Sequence, residues 1–368
     1  MLWIPGPTEV RSEILETLTL PMIGHRSKEM TELVERTDPG LRHGFGAEAS
    51  SGSQVAVGTH SATAMMEGSL SGVGPRVLSI VGGAFSKRWA GIAKTVGKDV
   101  TVLEVEWGQA VKPQALAEAL EKDGPFDAVT LVVNETSTGV QTSAADLKPV
   151  LADHPQAMLL VDVVSAIAGY AIDFDANGID FALAGINKAL ALPPGLTVMC
   201  ASERYLEGAR GRERSTWYLD PVRTIDGHIA RKTPTTPSIP LYRALVRQLE
   251  DIGEGKTLPI QDRDKRGAAA WQARFEKHAR MKAQTLAWAA KHGIHSFPPE
   301  DVSSETVSCL RAEGIDAAAL IDGLKQRGHL IGGGYGPLKG ETFRIGHMGD
   351  HTEDGLAKLL EAADAVLA

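Results

Sequence analysis

Lys188 is the residue of this chain with the clearest potential for covalent chemistry. It lies in the sequence Gly-Ile-Asn-Lys-Ala-Leu-Ala-Leu-Pro-Pro-Gly at 185–195, between apolar runs at 179–184 and 196–201. Because the Pro-Pro-Gly sequence ends any helix, the pattern predicts a turn between two buried strands. Burial there would lower the pKa of the lysine and leave its amine available as a nucleophile. The alternative is a loop lysine that reaches solvent, which is the usual arrangement of lysines.

Asp162 is the first candidate partner of Lys188. It ends the apolar run at 157–161, and ligands of open α/β sheets bind beyond the carboxyl ends of the strands. An aspartate there is costly to bury unless it meets a cation or a hydrogen-bond donor, and a protonated pyridine nitrogen would serve. The alternative is a helix cap for the residues that follow, including Val164.

Three further segments place polar or glycine residues at strand ends. Residues 59–63, Thr-His-Ser-Ala-Thr, lie between a strand and a helix, which suits a phosphate but also an ordinary Ser/Thr cap. Gly82 and Gly83 precede Phe85, whose ring could lie flat on a ligand ring or belong to the core. The polar residues that begin at Asn134 follow a buried strand, so they lie at the same ligand edge.

Arg344 lies inside a short apolar strand, Phe-Arg-Ile at 343–345. An arginine in that position suits bidentate capture of a carboxylate. A structural salt bridge is the alternative.

Strands and helices alternate from residue 54 to residue 201. Apolar runs that are continuous indicate strands covered on both faces, and helices between them indicate a mostly parallel sheet with right-handed crossovers. Six or seven strands predict a large α/β domain, which we place at 21–255. A smaller α+β domain is predicted from 1–20 and 256–368. The predicted strands of the large domain are 54–57, 77–81, 100–105, 128–133, 158–163, 181–184 and 197–201.

Two interruptions are expected in this scheme. Asp38-Pro39-Gly40 should end the helix that begins near Lys28, because proline removes a helix donor. The Thr- and Pro-rich residues 215–240 should be irregular.

Composition limits the classes of function. The 368 residues carry a net charge of -8 without a basic run, so we expect no nucleic-acid partner. Cys200 and Cys309 lie far apart in apolar sequence, which favours reduced core residues over a disulfide or a metal site. No apolar run approaches the length of about 20 residues that a membrane span needs, and Pro5 leaves no room for a signal peptide. We therefore expect a cytoplasmic enzyme.

Several segments together resemble the class V pyridoxal-phosphate aminotransferases, the group of alanine–glyoxylate and serine–glyoxylate (serine–pyruvate) aminotransferases. They occur in the family's order across nearly the whole chain. The matching segments are 5–8, 21–26, 134–140, 160–162, 187–195, 235–237 and 343–350.

The resemblance implies the fold type I (aspartate aminotransferase-like) architecture, the cofactor pyridoxal 5'-phosphate, and a homodimer with shared active sites. It implies that Lys188 is the Schiff-base lysine, that Asp162 pairs with the pyridine nitrogen, and that Arg344 holds the substrate's α-carboxylate. Phe85 would stack on the cofactor ring and Thr136 would lie near its oxygen. The remaining cofactor contacts would be Ser61, Ala62, Thr63, Val164 and Asn187, with Thr235 and Thr236 reaching in from the neighbouring subunit. The remaining substrate contacts would be Gly6, Asn134 and His25.

Ile186 and Asn187 depart from the Ser-Gln pair that is common in this family, so the phosphate contacts should be rebuilt here, with His60 as a candidate. The resemblance implies transfer of the amino group of alanine or serine to glyoxylate or pyruvate by a ping-pong mechanism. Aspartate or phosphoserine donors remain open and would need a second anion site. His25, Arg26, His347 and Lys232 are the candidates for it. A cysteine desulfurase-like lyase and a non-catalytic cofactor-binding protein are less favoured alternatives.

Overall fold

The computed structural model describes residues 1–213 and 215–368. Its strands are β1 (Leu2–Trp3), β2 (Gln54–Gly58), β3 (Arg76–Val81), β4 (Asp99–Glu104), β5 (Ala128–Val132), β6 (Asn134–Glu135), β7 (Val140–Gln141), β8 (Met158–Asp162), β9 (Phe181–Gly185), β10 (Thr197–Ala201), β11 (Ser308–Arg311), β12 (Leu330–Gly333) and β13 (Thr342–Ile345). Its α-helices are α1 (Ser12–Thr17), α2 (Lys28–Phe45), α3 (Ala62–Leu70), α4 (Ala84–Thr95), α5 (Pro113–Asp123), α6 (Ala144–Ala152), α7 (Glu203–Arg210), α8 (Pro221–Ile229), α9 (Ile239–Gly253), α10 (Ala268–Lys291), α11 (Ala317–Gln326) and α12 (Glu353–Leu367).

Seven strands form one large sheet, in the order β2-β10-β9-β8-β5-β3-β4. Six of them run in one direction, whereas β10 is antiparallel to both of its neighbours. All residues of β5, β9 and β10 are buried, because helices cover both faces of the sheet. The predicted α/β class and the mostly parallel sheet are confirmed.

The carboxyl ends of β3, β5, β8 and β9 lie side by side at one edge of this sheet. Gly82 follows β3, Asn134 follows β5, Asp162 ends β8, and the turn that contains Lys188 follows β9. The sheet therefore collects the predicted chemistry at its ligand-binding edge. A two-stranded hairpin of β6 and β7, which the sequence did not predict, adds to this edge.

A second sheet of four strands has the order β1-β12-β13-β11. It takes one strand from the beginning of the chain and three from the end. Its apolar side packs with α10, α11 and α12 around Trp3, Leu310 and Phe343. The proposed domain limits, 21–255 against 1–20 with 256–368, remain a prediction.

The predicted break of the second helix at Pro39 is wrong, since α2 runs through it. Proline removes one backbone hydrogen bond from a helix, but α2 buries Leu33, Val34 and Leu41 in the core. A Cβ on Gly40 would lie 2.6 Å from Leu249 Cβ, so this glycine allows α9 to approach closely. Packing against α9 therefore outweighs the local signal.

The expectation that 215–240 is irregular is also wrong in part, because α8 lies within it. The Asp220 carboxylate accepts hydrogen bonds from the backbone N–H of Val222 (2.9 Å) and Arg223 (3.3 Å). Pro221 occupies the first turn, where its missing N–H is not needed. This Asp-Pro pair was a helix signal.

Both cysteines are buried free thiols, as predicted. None of the described helices is long and apolar enough to span a membrane. Among the described residues no group of three or more His, Cys, Asp or Glu side chains could hold a metal ion.

Candidate active site

Lys188 lies in the turn between β9 and β10, as the sequence predicted, and its side chain is buried. Its Nζ donates hydrogen bonds of 2.7 Å to Thr136 Oγ1 and to Ser165 Oγ. Those two hydroxyls are 2.5 Å apart. The turn is closed by the backbone N–H of Ala191, 2.7 Å from Lys188 O, and by the Thr8 hydroxyl, 3.0 Å from the same oxygen. Hydrogen bonds to hydroxyl groups inside the protein thus replace the hydration of the amine.

Asp162 is buried at the end of β8, near the amine. Its Oδ1 accepts a 2.7 Å hydrogen bond from Val164 N, so the capping interpretation is correct for this one oxygen. Burial raises the pKa of Asp162, and burial lowers the pKa of Lys188. Desolvation penalises the charged form of each. The Asp162 carboxylate is therefore stabilised by a protonated partner, and the Lys188 amine loses its proton more readily than an exposed lysine does.

Lys188 and Asp162 line one cavity of about 250 Å³. This volume is close to the lower end of the range for small-molecule sites, about 300–1,000 Å³. The predicted residues that line it are Ser61, Ala62, Thr63, Phe85, Asn134, Thr136, Asp162, Val164, Asn187 and Lys188. Met66, Arg88, Val132, Ser165 and Pro194 complete the lining without having been predicted.

The amino end of α3 forms one side of the cavity. Ser61 is the N-cap residue, but its side chain makes no capping hydrogen bond. A helix N-terminus with open N–H groups is a ready anion site. His60, the candidate for rebuilding the phosphate contacts, turns away from this cavity. Its Nδ1 lies 3.1 Å from Thr197 Oγ1, and it lines a different, smaller cavity.

Phe85 lies in the first turn of α4, and Lys188 Nζ is 5.1 Å from the centroid of its ring. The buried carboxylate of Glu135 fixes this turn. It accepts hydrogen bonds from Phe85 N (3.2 Å), Ser86 N (3.0 Å) and Ser137 Oγ (2.5 Å). A carboxylate at a helix N-terminus is favoured by the helix dipole. Glu135 was not singled out in the sequence, although it lies in a polar segment directly after a strand.

Arg344 lies on β13 and reaches the edge of the site. Its Nη1 donates to Thr136 O at 3.0 Å and its Nε donates to Gly333 O at 2.9 Å. The charge of Glu135 acts on it, but among the described residues no carboxylate lies close enough to form the structural salt bridge. The guanidinium retains donors for an anion, and burial lowers its pKa.

Gly6 packs against the aliphatic part of Lys188. Its φ is +98°, and a Cβ there would lie 2.9 Å from Lys188 Cγ. Only glycine suits this position, because the conformation is left-handed and the space is taken.

Five predicted residues do not line the cavity of their own chain. Gly6 and Arg344 contact residues that do line it, whereas the other three lie elsewhere. His25 lies on an exposed loop, where Arg26 Nε is 3.3 Å from its Nε2. Thr235 lines the smaller cavity with His60 and Tyr218, and Thr236 is exposed. Of the candidates for a second anion site, His347 is fully buried beside Ser308, and burial lowers its pKa to about 3. A buried, neutral imidazole offers a substrate anion neither a positive charge nor access, so His347 is a poor second anion site.

Two functional residues were missed by sequence reasoning. Ser165 follows Asp162 by three residues in the same turn and bonds to Lys188 Nζ. Arg88 lies one helical turn after Phe85, with its guanidinium carbon 4.9 Å from the ring centroid. The spacing from Asp162 and from Phe85 was the available signal for each.

Comparisons with known proteins show which family this chain resembles over most of its length. The profile of the family described as aminotransferase class-V matches residues 15–324. The serine–glyoxylate aminotransferase of Methylorubrum extorquens is 32% identical, with 100% of this chain and 90% of that protein covered. The L-aspartate–glyoxylate aminotransferase of Paracoccus denitrificans is 29% identical, with 100% and 91% covered.

A solved structure is similar to this chain over its whole length. The alanine–glyoxylate aminotransferase of Nostoc sp. superposes with a TM-score of 0.88 at 25% identity, covering 100% of this chain and 95% of that one. The resemblance inferred from the sequence is confirmed, together with fold type I. The chain belongs to the class V aminotransferases, and it is a transaminase whose cofactor is pyridoxal phosphate.

Proposed function

We propose that the enzyme moves the amino group of alanine or serine to glyoxylate or pyruvate in two half-reactions. The observation that carries this proposal is that a buried Lys188 amine and a buried Asp162 carboxylate line the same small cavity. The similar proteins reported above support the acceptor, because all three are named for glyoxylate, whereas their donors are serine, aspartate and alanine.

The residues around the cavity fit the cofactor. The open N-terminus of α3 at Ser61 suits the phosphate, Asp162 suits the pyridine nitrogen, and Phe85 suits the ring face. When bound, pyridoxal phosphate supplies the ring that accepts electrons from the amino acid's α-carbon. Lys188 is the amine that would hold it covalently, and Thr136 is the hydroxyl nearest to that amine together with Ser165.

Lys188 has a second role once a substrate amine takes its place. Its free amine would lie beside the α-carbon of the bound donor, and burial lowers its pKa. A general base of lowered pKa can take a proton near neutral pH and return it as an acid. Thr136 and Ser165 accept hydrogen bonds from Nζ and so orient it.

Arg344 would bind the α-carboxylate of both substrates. Two backbone carbonyls, Thr136 O and Gly333 O, hold its guanidinium in place. A fixed guanidinium orients the substrate, which brings its α-hydrogen to the Lys188 amine. Water is kept from this step because Lys188 is buried, with 8% of the residue exposed.

The proposal includes a homodimer, in which a second copy of the chain completes each active site. Thr235 and Thr236 do not line the cavity of their own chain, so we assign them to the partner's cofactor in a homodimer. Exposed Trp217 and Tyr218 lie beside this segment and support such a contact, since exposed apolar patches favour protein interfaces. A cytoplasmic location is part of the proposal, because buried free thiols suit a reducing compartment.

An acidic donor such as aspartate is the second candidate, and Arg88 favours it. This exposed guanidinium lines the cavity and stacks on Phe85. Within the described part of the chain it forms no ion pair, so it is available to a second carboxylate or to a phosphate.

A half-reaction screen separates these candidates. The absorbance of the bound cofactor is followed on addition of alanine, serine, aspartate or phosphoserine, and then of glyoxylate or pyruvate. We expect the spectrum to respond to alanine or serine and to return with glyoxylate or pyruvate. A response to aspartate or phosphoserine alone contradicts the small-donor proposal. A Lys188→Ala variant with undiminished turnover contradicts the transamination mechanism itself.

A further inference from the structure

A glycine-rich segment beside Arg344 carries a single aromatic residue, Tyr335. The segment reads Gly-Gly-Gly-Tyr-Gly-Pro-Leu-Lys-Gly at 332–340. Its first residues belong to β12, where Gly332 lies opposite Arg344 and Gly333 lies opposite Phe343. The strand pairing therefore fixes Tyr335 close to the residue that we assign to the substrate carboxylate.

The glycines around Tyr335 build a tight turn. A Cβ on Gly334 would collide with Leu338 O, and Gly336 has a φ of +57°. Side chains are excluded from the first position by space and disfavoured at the second by the left-handed conformation. The glycines on both sides of Tyr335 thus leave its side chain as the one ring in this turn.

The ring of Tyr335 is held by two residues of the active site. Its centroid is 5.9 Å from that of Phe85, with 28° between the planes. The guanidinium carbon of Arg344 lies 5.6 Å from the Tyr335 centroid. These are stacking and cation–π distances. Tyr335 is 39% exposed, so its ring bridges the two residues at the rim of the site instead of filling the core.

The position of Tyr335 matters for the side chain of the amino donor, because Lys188 and Arg344 set where the donor's other two groups lie. Its α-amino group must reach the place of Lys188 Nζ, which lies 5.1 Å from the Phe85 centroid. Its α-carboxylate must reach Arg344. A side chain on the same α-carbon then has to pass the ring that touches both Phe85 and Arg344.

We propose that Tyr335 is a specificity-determining residue that limits the size of the donor's side chain. The inference rests on the proposed function, because it takes Lys188 and Arg344 as the groups that position the donor. Exclusion of one or two methylenes by a pocket wall changes kcat/KM by about 10- to 200-fold. Alanine and serine fit such a limit, whereas leucine does not.

The test compares Tyr335→Ala with the matched control Tyr335→Phe. Half-reactions of the holoenzyme are measured with alanine, 2-aminobutyrate and leucine by the absorbance of the bound cofactor. We expect Tyr335→Ala to raise kcat/KM for leucine relative to alanine by about 10-fold or more. Tyr335→Phe should keep the wild-type ratio, because it retains the ring. An unchanged ratio in Tyr335→Ala overturns the proposal, as does a change of equal size in Tyr335→Phe.

Failure of the proposed function has a different signature. In that case the wild-type enzyme does not react with alanine or serine, whatever residue occupies position 335. If the wild type instead accepts aspartate, the same ratio is measured for glutamate against aspartate. A rise of that ratio in Tyr335→Ala supports the size limit, and a constant ratio overturns it.

Discussion

At the scale of single residues, the site depends on one buried amine, that of Lys188. Lys188 Nζ has hydroxyl partners at 2.7 Å, Thr136 and Ser165, and burial lowers its pKa. A hydroxyl that accepts from the amine stabilises the protonated form more than the neutral form. The two hydroxyls thus limit how far burial can depress that pKa.

Removal of one hydroxyl should shift the pH dependence of proton transfer. We expect Ser165→Ala to lower the pKa of the Lys188 amine further, so the acid limb of the half-reaction rate moves to lower pH. The maximal rate should fall by about 10-fold, because the amine loses an orienting partner. Rapid-mixing kinetics of the half-reaction from pH 6 to pH 9 measure both. A profile that coincides with that of the wild type contradicts this role.

Arg344 offers a second residue-scale test. Arg344→Ala should raise KM about 100-fold for every α-carboxylate substrate, donors and acceptors alike, since a charge-assisted bidentate contact is lost. Arg344→Lys should recover only part of this loss, because an ammonium cannot make the paired contact. Equal KM values for wild type and Arg344→Ala would show that the arginine has no part in substrate binding.

At the scale of elements, short connections after the strands carry the site. The hairpin of β6 and β7 presents Glu135, whose carboxylate receives the first-turn N–H groups of α4. This contact joins two connections that follow neighbouring strands, β5 and β3. The orientation of Phe85 thus depends on a residue 50 positions away in the sequence.

Loss of the Glu135 cap should destabilise the protein. We expect Glu135→Ala to lower the free energy of unfolding by about 1–3 kcal/mol, because buried N–H groups lose their acceptor. Urea denaturation of the cofactor-free enzyme measures this change. The control is Glu118→Ala on the exposed side of α5, which should change it by less than about 0.5 kcal/mol. Equal effects of the two substitutions contradict the capping role.

At the scale of the whole molecule, a buried ionic network ties distant segments to the lysine turn. Arg274 of α10 is fully buried and donates to Ala189 O (2.7 Å), Ala168 O (3.1 Å) and Asp350 Oδ1 (2.9 Å). Arg11, near the beginning of the chain, donates to Asp350 Oδ2 at 2.6 Å. Removal of Asp350 would leave the buried guanidinium of Arg274 without a carboxylate partner, which is strongly destabilising.

Buried histidines make the stability of the whole molecule sensitive to acid. Burial lowers the pKa of His228 to about 4, that of His347 to about 3 and that of His351 to about 4. In the unfolded chain each titrates near about 6.5. Between these values the unfolded state binds more protons, so the free energy of unfolding falls as pH falls. Asp162, whose pKa burial raises, acts in the opposite direction but is outnumbered.

We therefore expect the urea midpoint of the cofactor-free enzyme to fall steadily from pH 7 to pH 4. A single histidine shifted this far contributes roughly 3 kcal/mol over its range. His228→Gln should reduce the steepness of the fall. Exposed His25→Gln is the control and should leave it unchanged, because that ring is already in water. A midpoint that does not depend on pH in this range contradicts the expectation.

The α/β class, the ligand edge of the sheet and the lysine turn could all be predicted from the sequence alone. Continuous apolar runs mark buried strands, and the residues at their ends are neighbours in sequence. Asp162 could be identified in this way because it directly follows such a run, and Lys188 because it lies in the short connection between two of them. The flanking segments identified the family for the same reason, since each motif is local.

Contacts between side chains of distant segments could not be predicted from the sequence, because they form only in the folded chain. Ser165 bonds to Lys188 across 23 positions, and Arg344 bonds to Thr136 across 208. No local pattern encodes such pairs, because they depend on the order of strands in the sheet. The same holds for Pro39, where packing of α2 on α9 outweighs the local break signal. Thr235 and His25 matched family segments by sequence, but the fold leaves them outside the cavity of their own chain.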